Sequence, residues 1–397
     1  MKILNHFKAL NPLNKKYIPY GKQNITKNDI NAVLKVLKSD FITQGPILPK
    51  FENEISKKVN SQYSIAVNSA TSALHIACLA LDLKEKDYLW TTPITFVASA
   101  NCGRFCGAKI DFVDIDLFTG LISIEALEKK LALAKKVNKL PKIIVPVHLA
   151  GTSCDMKRIF ELSKIYGFSI IEDASHALGG RYENEPVGGC KYSDITIFSF
   201  HPVKIITTGE GGVAVTNKSE LAQKMRDLRS HFIIKDEKRF LDKKEGEWKY
   251  EMQGLGFNYR MNEIQASLGL SQLKRLEEII NKRNILYKKY QKLLANYPIK
   301  FLKIPNTSYS SVHLCIILIN ESKIRDMIFS KFLENKIGVQ LHYYPVHLQP
   351  YYKNLGFKKG DFPSSEEYSS KAISLPLYPE LRNNDMNRVA KTLKIIL

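Results

Sequence analysis

The chain has 397 residues, of which 44% are hydrophobic and 25% charged, and its formal net charge is +20. The length allows two or three domains with an ample core, and the composition excludes a disordered or fibrous protein. No uninterrupted apolar stretch approaches the roughly 20 residues of a membrane helix, and segment 1–21 is too polar for a secretory signal. We therefore predict a cytoplasmic protein.

The positive charge is spread along the whole chain. Lysines fall largely on the polar faces of apparent helices, and the densest polar run, 235–249, alternates in sign. No helix-turn-helix, zinc-finger or RNA-binding motif accompanies it, so we expect neither nucleic-acid nor membrane partners. Cys102 and Cys106 lack a second pair or a histidine cluster to complete a metal site. The six cysteines are therefore expected to be reduced, structural thiols.

Short apolar runs alternate with amphipathic runs between about residues 64 and 217. The runs predicted to be strands are YSIAVN, DYLWTT, KIDFVDI, KIIVPVHLAG, FSIIED, DITIFSF and GGVAVTN. The runs predicted to be helices are SATSALHIACLALDL, TFVASANCGRFCG, SIEALEKKLALAKKV and DMKRIFELSKIYG. This alternation predicts an α/β domain around a mostly parallel sheet. Such sheets bind ligands at the edge where their strands end.

The remaining chain predicts a smaller α+β domain. Segment 262–296 is amphipathic and predicts one long helix, which Asn262 would cap together with Gln265. After it, the strand-like runs VHLCIILI and IGVQLHYYP flank the helical KIRDMIFSKFLENK. The predicted division is an amino-terminal arm with the first helix (1–38), a large domain (39–274) and a small domain (275–397).

Two segments of the α/β region carry candidate functional groups. In NSATSALHIA, small residues lie where a loop becomes a helix, and exposed amides with the Thr71 and Ser72 hydroxyls suit a phosphate. Serine and threonine are equally favoured as plain helix caps. Asp173 follows an apolar strand in IIEDASHALGG. A carboxylate buried at a sheet edge needs a cationic partner, unless Asp173 is only a capping or salt-bridged residue.

The third segment is SFHPVKIITTGEGG, which places Lys204 between a strand and a glycine-rich turn. This lysine would be a phosphate-binding charge, a covalent amine or a surface charge, and Ser199 offers a second phosphate hydroxyl. The glycines indicate that the backbone approaches something closely. Phosphate site, acid and lysine together match pyridoxal phosphate (PLP), which takes a lysine at its aldehyde and an aspartate at its ring nitrogen. Phe96 would cover the ring, or else be an ordinary core residue.

At this point the chain resembles the DegT/DnrJ/StrS-type sugar aminotransferases, which have the type I (aspartate aminotransferase-like) PLP-dependent fold with a seven-stranded-type sheet. The matching motifs occur in the family's order: NSATSALHIA, TTPITFVASAN, EDASHALGG, SFHPVKIITTGEGG and GFNYRMNEIQASLGLSQL. The similarity runs from about residue 20 to the carboxyl terminus. Five ordered motifs are specific evidence, whereas one alone would not be.

The resemblance implies a role for each matched residue. Lys204 would bind PLP covalently and move the proton between cofactor and substrate carbon, and Asp173 would pair with the ring nitrogen. His176 would lie beside the phenolate edge and Phe96 on the ring face. The implied phosphate ligands are Ala70, Thr71, Ser72 and Ser199. Asn258 would reach into the neighbouring subunit's site, which implies a homodimer with shared active sites.

Within the family, SDFITQGP, TTPITFVASAN and GVQLHYYPVH resemble the transaminases of pseudaminic acid biosynthesis. That resemblance implies amination at C4 of a UDP-linked 4-keto-6-deoxy-N-acetylhexosamine, with L-glutamate as the donor. The implied substrate contacts are Tyr20, Asp40, Phe41, Ile42, Thr43, Ala70, Ser199, Asn258, Gln340, Leu341, His342 and Tyr343.

Three other functions stay open on the sequence. The first is an aminotransferase for another 3- or 4-keto sugar carried on dTDP or GDP, since fold-level likeness does not fix a substrate. The second is a same-fold sugar dehydratase, in which histidine replaces the anchoring lysine. The third is a non-enzymatic regulator or nucleic-acid-binding protein, which the charge of +20 invites.

Overall fold

The computed structural model describes residues 17–243 and 245–396, so most of the predicted amino-terminal arm lies outside the described residues. The helices are α1 (Lys27–Leu37), α2 (Ile47–Val59), α3 (Ala70–Ala80), α4 (Ala98–Phe105), α5 (Ile124–Lys136), α6 (Met156–Tyr166), α7 (Ser219–Arg229), α8 (Glu263–Leu273), α9 (Leu276–Leu293), α10 (Arg325–Glu334), α11 (Pro350–Lys353), α12 (Pro363–Lys371) and α13 (Asn383–Ile396). Within the described ranges, none of them combines the length and the apolar character needed to cross a membrane.

The strands are β1 (Tyr63–Val67), β2 (Tyr88–Thr91), β3 (Lys109–Phe112), β4 (Ile143–Val145), β5 (Ser169–Asp173), β6 (Arg181–Tyr182), β7 (Glu185–Pro186), β8 (Ile195–Ser199), β9 (Gly212–Thr216), β10 (Ile233–Ile234), β11 (Glu251–Met252), β12 (Ile299–Phe301), β13 (Ser308–Tyr309), β14 (Cys315–Ile319) and β15 (Ala372–Leu375). Short 3₁₀ turns lie at Leu149–Gly151, Glu237–Arg239, Ser322–Ile324 and Val346–Leu348.

The main sheet of the described chain has seven strands in the order β1-β9-β8-β5-β4-β2-β3. Only β9 runs antiparallel to its neighbours, whereas the pairs from β8 to β3 are parallel. Alternate residues of β4 enter different cores, Ile143 and Val145 with α3 and α4, and Ile144 with α5 and α6. Side chains on a strand alternate between faces, so helices cover both faces. The predicted α/β architecture is confirmed.

A second, antiparallel sheet of three strands, β12-β14-β15, packs with α9, α10 and α13 around a separate core. It corresponds to the predicted small α+β region, with one correction. The run IGVQLHYYP does not form a strand. Its backbone pairing with distant segments consists of isolated bridges, from Ile337 to Ile18 and from Gln340 to Ser374, where the two hydrogen bonds are 3.2 and 2.8 Å. The proposed domain boundaries stay a prediction.

The prediction of one long helix over 262–296 is also wrong, because the helix is interrupted between α8 and α9. Arg275 has non-helical angles (φ −106°, ψ 10°). Its guanidinium donates hydrogen bonds to Asn24, which precedes α1, and to Asp29 of α1. The predicted cap at the start of α8 is confirmed, since Asn262 and Gln265 exchange hydrogen bonds of 2.9 and 3.1 Å. Because of this interruption, α8 packs on α1 and α2, while side chains of α9 pack into the core of the second sheet.

Candidate active site

The site forms at the edge where β5 and β8 end and β9 begins. Asp173 is the last residue of β5, and Ser199 at the end of β8 lies opposite Gly212 at the start of β9. The connection from β8 to β9 carries Lys204 and is closed by a hydrogen bond from the Phe200 amide to the Gly211 carbonyl (2.9 Å). Because β9 is antiparallel, this connection turns back over the same edge instead of crossing the sheet.

A cavity of about 600 Å³ opens at this edge. The predicted residues that line it are Tyr20, Ala70, Thr71, Phe96, Asp173, His176, Ser199, Lys204, Gln340, Leu341, His342 and Tyr343. Predicted residues outside its lining are Ser72, Asp40, Phe41, Ile42, Thr43 and Asn258. Most of the candidate residues, drawn from distant parts of the chain, therefore meet in one cavity.

Ser72 serves the helix rather than the cavity. Its amide donates to Ser69 Oγ (3.1 Å), so Ser69 caps α3, and its hydroxyl donates to Asn68 Oδ1 (2.6 Å). Within the described chain, the amides of Ala70 and Thr71 have no hydrogen-bond partner. Two free amides at a helix start are suited to an anion such as phosphate.

The glycine turn of the Lys204 segment packs against the start of this helix. A Cβ at Gly212 would lie 2.6 Å from Ala70 Cα and 2.6 Å from the Ser69 carbonyl carbon, closer than any side chain tolerates. The glycines of this turn predict a close backbone approach here. What approaches is the amino end of α3, so Gly212 fixes the distance between the sheet edge and the Ala70 and Thr71 amides.

Asp173 is a buried carboxylate held by neutral donors. It accepts a hydrogen bond from Ser99 Oγ (2.5 Å) and one from the Ser175 amide (3.1 Å), and Ser99 is in turn bonded to Thr95 (2.7 Å). None of the ion pairs among the described residues includes Asp173. A buried anion without a paired cation favours a cationic ligand such as a protonated ring nitrogen.

Lys204 is half-buried in the cavity wall. Burial lowers the pKa of its ammonium to about 8, against an opposing effect of Asp173. Near physiological pH, Lys204 is therefore a neutral amine in a substantial fraction of the protein molecules. The neutral amine is the form that attacks a carbonyl carbon.

Three of the four histidines that line the cavity with Lys204 make ring contacts with one another or with Tyr343. Burial and the Lys204 charge lower the pKa of His176, and burial lowers that of His342 to about 3. His176 Nδ1 accepts the Ala150 amide (3.3 Å), so the neutral ring carries its proton on Nε2 and donates to Tyr343 Oη (3.1 Å). The ring of His313 lies 4.5 Å from that of His176, tilted by 47°. The phenolic proton of Tyr343 is thereby left free to donate into the cavity.

Sequence reasoning missed several residues of the site. The additional lining residues are Ser69, Leu74, Thr95, Ala98, Val147, Ser175, His201, Val203, Glu210 and His313, and Ser99 lies behind Asp173. Ser69 and Ser175 lie inside the motifs NSATSALHIA and EDASHALGG, so the sequence carries a signal for both. Ser99 lies inside the motif TTPITFVASAN, but nothing local indicates that it contacts Asp173. His313 lies in a strand-like run of the other sheet and carries no local signal.

The cavity residues fit PLP by their chemistry. The Ala70 and Thr71 amides and Ser199 suit its phosphate, Asp173 suits its ring nitrogen, and Lys204 is the amine for its aldehyde. Phe96 is 58% exposed although it is a large apolar residue, and it lines the cavity. An aromatic face held open in this way suits a flat ring.

Fold and cavity together define an α/β enzyme of the type I, aspartate aminotransferase-like class. A model of the DegT/DnrJ/EryC1/StrS aminotransferase family matches residues 23–394. The chain belongs to this family, and it is an aminotransferase.

Three known proteins are similar to this chain over nearly its whole length. The UDP-4-amino-4,6-dideoxy-N-acetyl-beta-L-altrosamine transaminase of Campylobacter jejuni is 38% identical over 383 residues, which cover 96% of this chain and 97% of that protein. PseC of Helicobacter pylori, an aminotransferase involved in the biosynthesis of pseudoaminic acid, matches with TM-score 0.87 and 33% identity over 96% of this chain and 99% of its own. The putative sugar aminotransferase Spr1654 of Streptococcus pneumoniae, solved in a PLP-form, matches with TM-score 0.86 and 29% identity over 96% of this chain and 98% of its own.

Proposed function

We propose that this protein is a PLP-dependent sugar aminotransferase that converts a UDP-linked 4-keto-6-deoxy-N-acetylhexosamine into its 4-amino sugar with L-glutamate as donor. The observation that carries the proposal is the meeting of Lys204, Asp173, Phe96 and the free amides of α3 in one cavity. The C. jejuni relative, named for the same chemistry and similar over nearly the full length, supports the choice of substrate.

In the proposed reaction each residue has one task. The amides of Ala70 and Thr71 with Ser199 bind the phosphate, and Phe96 covers the ring. When bound, PLP supplies an electrophilic carbon for amines and an electron sink for the carbanion. Asp173 holds the ring nitrogen in its charged form. Lys204 removes and returns the proton at the substrate carbon, because its lowered pKa keeps both protonation states populated near pH 8.

On the substrate side, the segment Gln340–Tyr343 provides polar groups along one wall. His342 Nδ1 is bonded to Ser374 Oγ (2.7 Å), and its ring lies 5.8 Å from that of Tyr20. These contacts fix the wall before substrate arrives. Amide, imidazole and phenol groups arranged in this way suit the hydroxyls and N-acetyl group of a sugar.

The proposal includes a homodimer with shared sites. Segment Asp40–Thr43 and Asn258 are exposed and outside the cavity of their own chain, and Phe41 and Ile42 are each 55% exposed. Apolar side chains exposed next to predicted substrate contacts favour a second copy as their partner. In the proposed dimer they contribute to the partner's cavity.

Half-reaction spectroscopy tests the function. The amino form of the enzyme is mixed with UDP-, dTDP- and GDP-linked 4-keto and 3-keto sugars, and return of the PLP absorbance is followed. We expect the fastest return with the UDP-linked 4-keto-6-deoxy-N-acetylhexosamine. A faster return with a dTDP- or GDP-linked sugar would mean that this sugar, and not the UDP-linked one, is the substrate. Release of water from the sugar without amino transfer would indicate a dehydratase.

The pKa of Lys204 predicts how PLP uptake depends on pH. Because the neutral amine is the nucleophile, covalent uptake by the cofactor-free protein should rise with pH and level off above about 8. The measurement is stopped-flow absorbance from pH 6 to 10, with Lys204→Ala as the control that shows no covalent phase. A rate that keeps rising toward pH 10 would contradict the lowered pKa.

Gly212→Ala is predicted to weaken cofactor binding without touching a cofactor contact. The added methyl group would displace the start of α3, and overpacking of this kind costs about 1–3 kcal/mol. We expect a lower free energy of unfolding and PLP affinity reduced by about tenfold or more, because the Ala70 and Thr71 amides move. Urea unfolding and PLP titration measure the two effects.

The matched control is Gly189→Ala, whose Cβ would lie 3.3 Å from its nearest heavy atom, the Val59 carbonyl oxygen, outside the cavity lining. This variant should keep its PLP affinity. Equal losses of affinity in both variants would mean that general destabilisation, rather than the position of α3, explains the result.

A further inference from the structure

Glu263 is the first residue of α8, and its side chain is completely buried outside the cavity lining. Its Oε2 accepts a hydrogen bond from the Ile47 amide (2.6 Å), and its Oε1 accepts one from the Leu48 amide (3.1 Å). Ile47 and Leu48 begin α2. Burying a carboxylate is costly unless its charge is stabilised, and amides at the positive end of a helix stabilise it. The Glu263 carboxylate therefore joins the start of α8 to the start of α2.

The two contacts satisfy the amides that α2 leaves unpaired. The first turn of a helix has amides without an intrahelical acceptor, but Pro46 and Pro49 carry no amide hydrogen. Ile47 and Leu48 are the donors that remain. Pro46, which precedes the helix, makes no side-chain capping bond. Glu263 supplies both acceptors from 215 and 216 residues further along the chain.

Glu263 also binds the segment that precedes α2. Its backbone amide donates to the Ile42 carbonyl (3.0 Å). Ile42 belongs to the predicted substrate contacts Asp40–Thr43. Within the part of the chain that the structure describes, this is the only hydrogen bond that joins residues 40–45 to a distant segment. A helix cap alone would need the carboxylate and not this second contact.

The turn between the two contacts is tightly packed. A Cβ at Gly45 would lie 2.6 Å from Phe41 Cβ and 2.9 Å from Glu263 Oε2, which is closer than real side chains come. Gln44 has a φ of 53°, in the left-handed region. Because the turn is closed from both sides, a shift of the Glu263 carboxylate displaces the residues before α2 as well as the helix.

We propose that Glu263 is a positioning residue for the nucleotide-sugar half of the reaction. It holds Asp40–Thr43 in the conformation in which this segment contacts the nucleotide sugar, and it does not touch the substrate itself. The inference rests on the proposed function, which assigns substrate contacts to Asp40–Thr43. The glutamate half of the reaction uses Lys204 and Asp173 in the cavity, so it does not depend on Glu263.

The first measurement needs no substrate. In Glu263→Gln the side chain keeps its size, but one acceptor oxygen faces two donating amides, so that Ile47 or Leu48 loses its partner. Hydrogen–deuterium exchange of the PLP-bound enzyme should become about tenfold or more faster in the peptide that covers 40–50. The peptide that covers the start of α3 should exchange as before. Unchanged exchange in 40–50 overturns the proposal.

The second measurement separates the two half-reactions, with the keto sugar that the unmodified enzyme accepts. In Glu263→Gln we expect KM for the sugar to rise about tenfold or more, while the rate at which glutamate converts the PLP form into the amino form stays the same. Gly45→Ala displaces the same turn and should give the same selective effect. Similar losses in both half-reactions would show a general structural role and overturn the proposal.

The matched control is Asp155→Ala, which also removes a carboxylate that caps a helix. Asp155 accepts the Arg158 amide (3.3 Å) at the start of α6, outside the cavity lining. This variant should keep both half-reactions, and an equally raised KM for the sugar in it would overturn the proposal, because lost stability would then explain the effect. If the unmodified enzyme accepts no sugar of the panel, the proposed function fails, and the exchange measurement still decides whether Glu263 fixes residues 40–45.

Discussion

Lys204→Ala is expected to lower the rate of amino transfer by roughly 10⁴-fold or more, because both covalent attachment and proton transfer lose their only group. Lys204 lines the cavity together with Asp173, and its lowered pKa supplies the neutral amine. The measurement is single-turnover transfer from glutamate to the keto sugar. Borohydride reduction of the unmodified enzyme followed by peptide mapping should place the label on Lys204.

Two further variants keep this result interpretable. Lys204→Arg retains the charge but not the nucleophile, so it should be as inactive as Lys204→Ala. Lys218→Ala removes an exposed lysine whose Nζ pairs with Asp194 (2.5 Å), and it should retain its activity. Appreciable turnover by Lys204→Ala, or a borohydride label on another lysine, would contradict the assignment.

Asp173→Asn is expected to reduce the rate by roughly 10²–10³-fold, the size of effect that loss of one preorganised electrostatic partner produces. Asparagine preserves the shape and can still accept the hydrogen bond from Ser99 (2.5 Å in the structure), but it cannot stabilise a cation on the ring nitrogen. PLP affinity should fall together with the rate. Absorbance spectra against pH would report both effects.

The matched control is Asp194→Asn. Asp194 precedes β8, at the end of that strand opposite Ser199, where it accepts the Ile170 amide (2.8 Å) and pairs with Lys218. Its loss should lower stability modestly and leave the spectrum of bound PLP unchanged. A normal rate in Asp173→Asn, or an equal loss in Asp194→Asn, would count against a specific role of Asp173 at the ring nitrogen.

The sequence predicts the main sheet and the central residues of the site because the two are linked by simple geometry. Parallel strands end at one edge, so Asp173 at the end of β5 and Ser199 at the end of β8 had to lie near each other. The start of α3 follows β1 directly. Lys204 is predicted at the same site because its motif occurs in the order of the family's motifs. These positions need no long-range information beyond the strand pattern.

Other features depend on contacts that no local pattern records. The insertion of β9 between β1 and β8 follows from pairing of distant segments. The break before α9 follows from the contacts of Arg275 with Asn24 and Asp29, not from a helix-breaking residue. His313 reaches the cavity because the second sheet packs beside it. Residues of this kind are selected by tertiary packing.

The closed connection between β8 and β9 has a consequence for the dynamics of Lys204. Two hydrogen bonds close the base of this connection. The Phe200 amide donates to the Gly211 carbonyl (2.9 Å), and the Thr208 amide donates to the Phe200 carbonyl (3.0 Å). The entropy of ordering this loop is therefore lost once, when the chain folds. In the proposed reaction, movement of the amine between two reacting atoms would then need only rotation about the bonds of the Lys204 side chain.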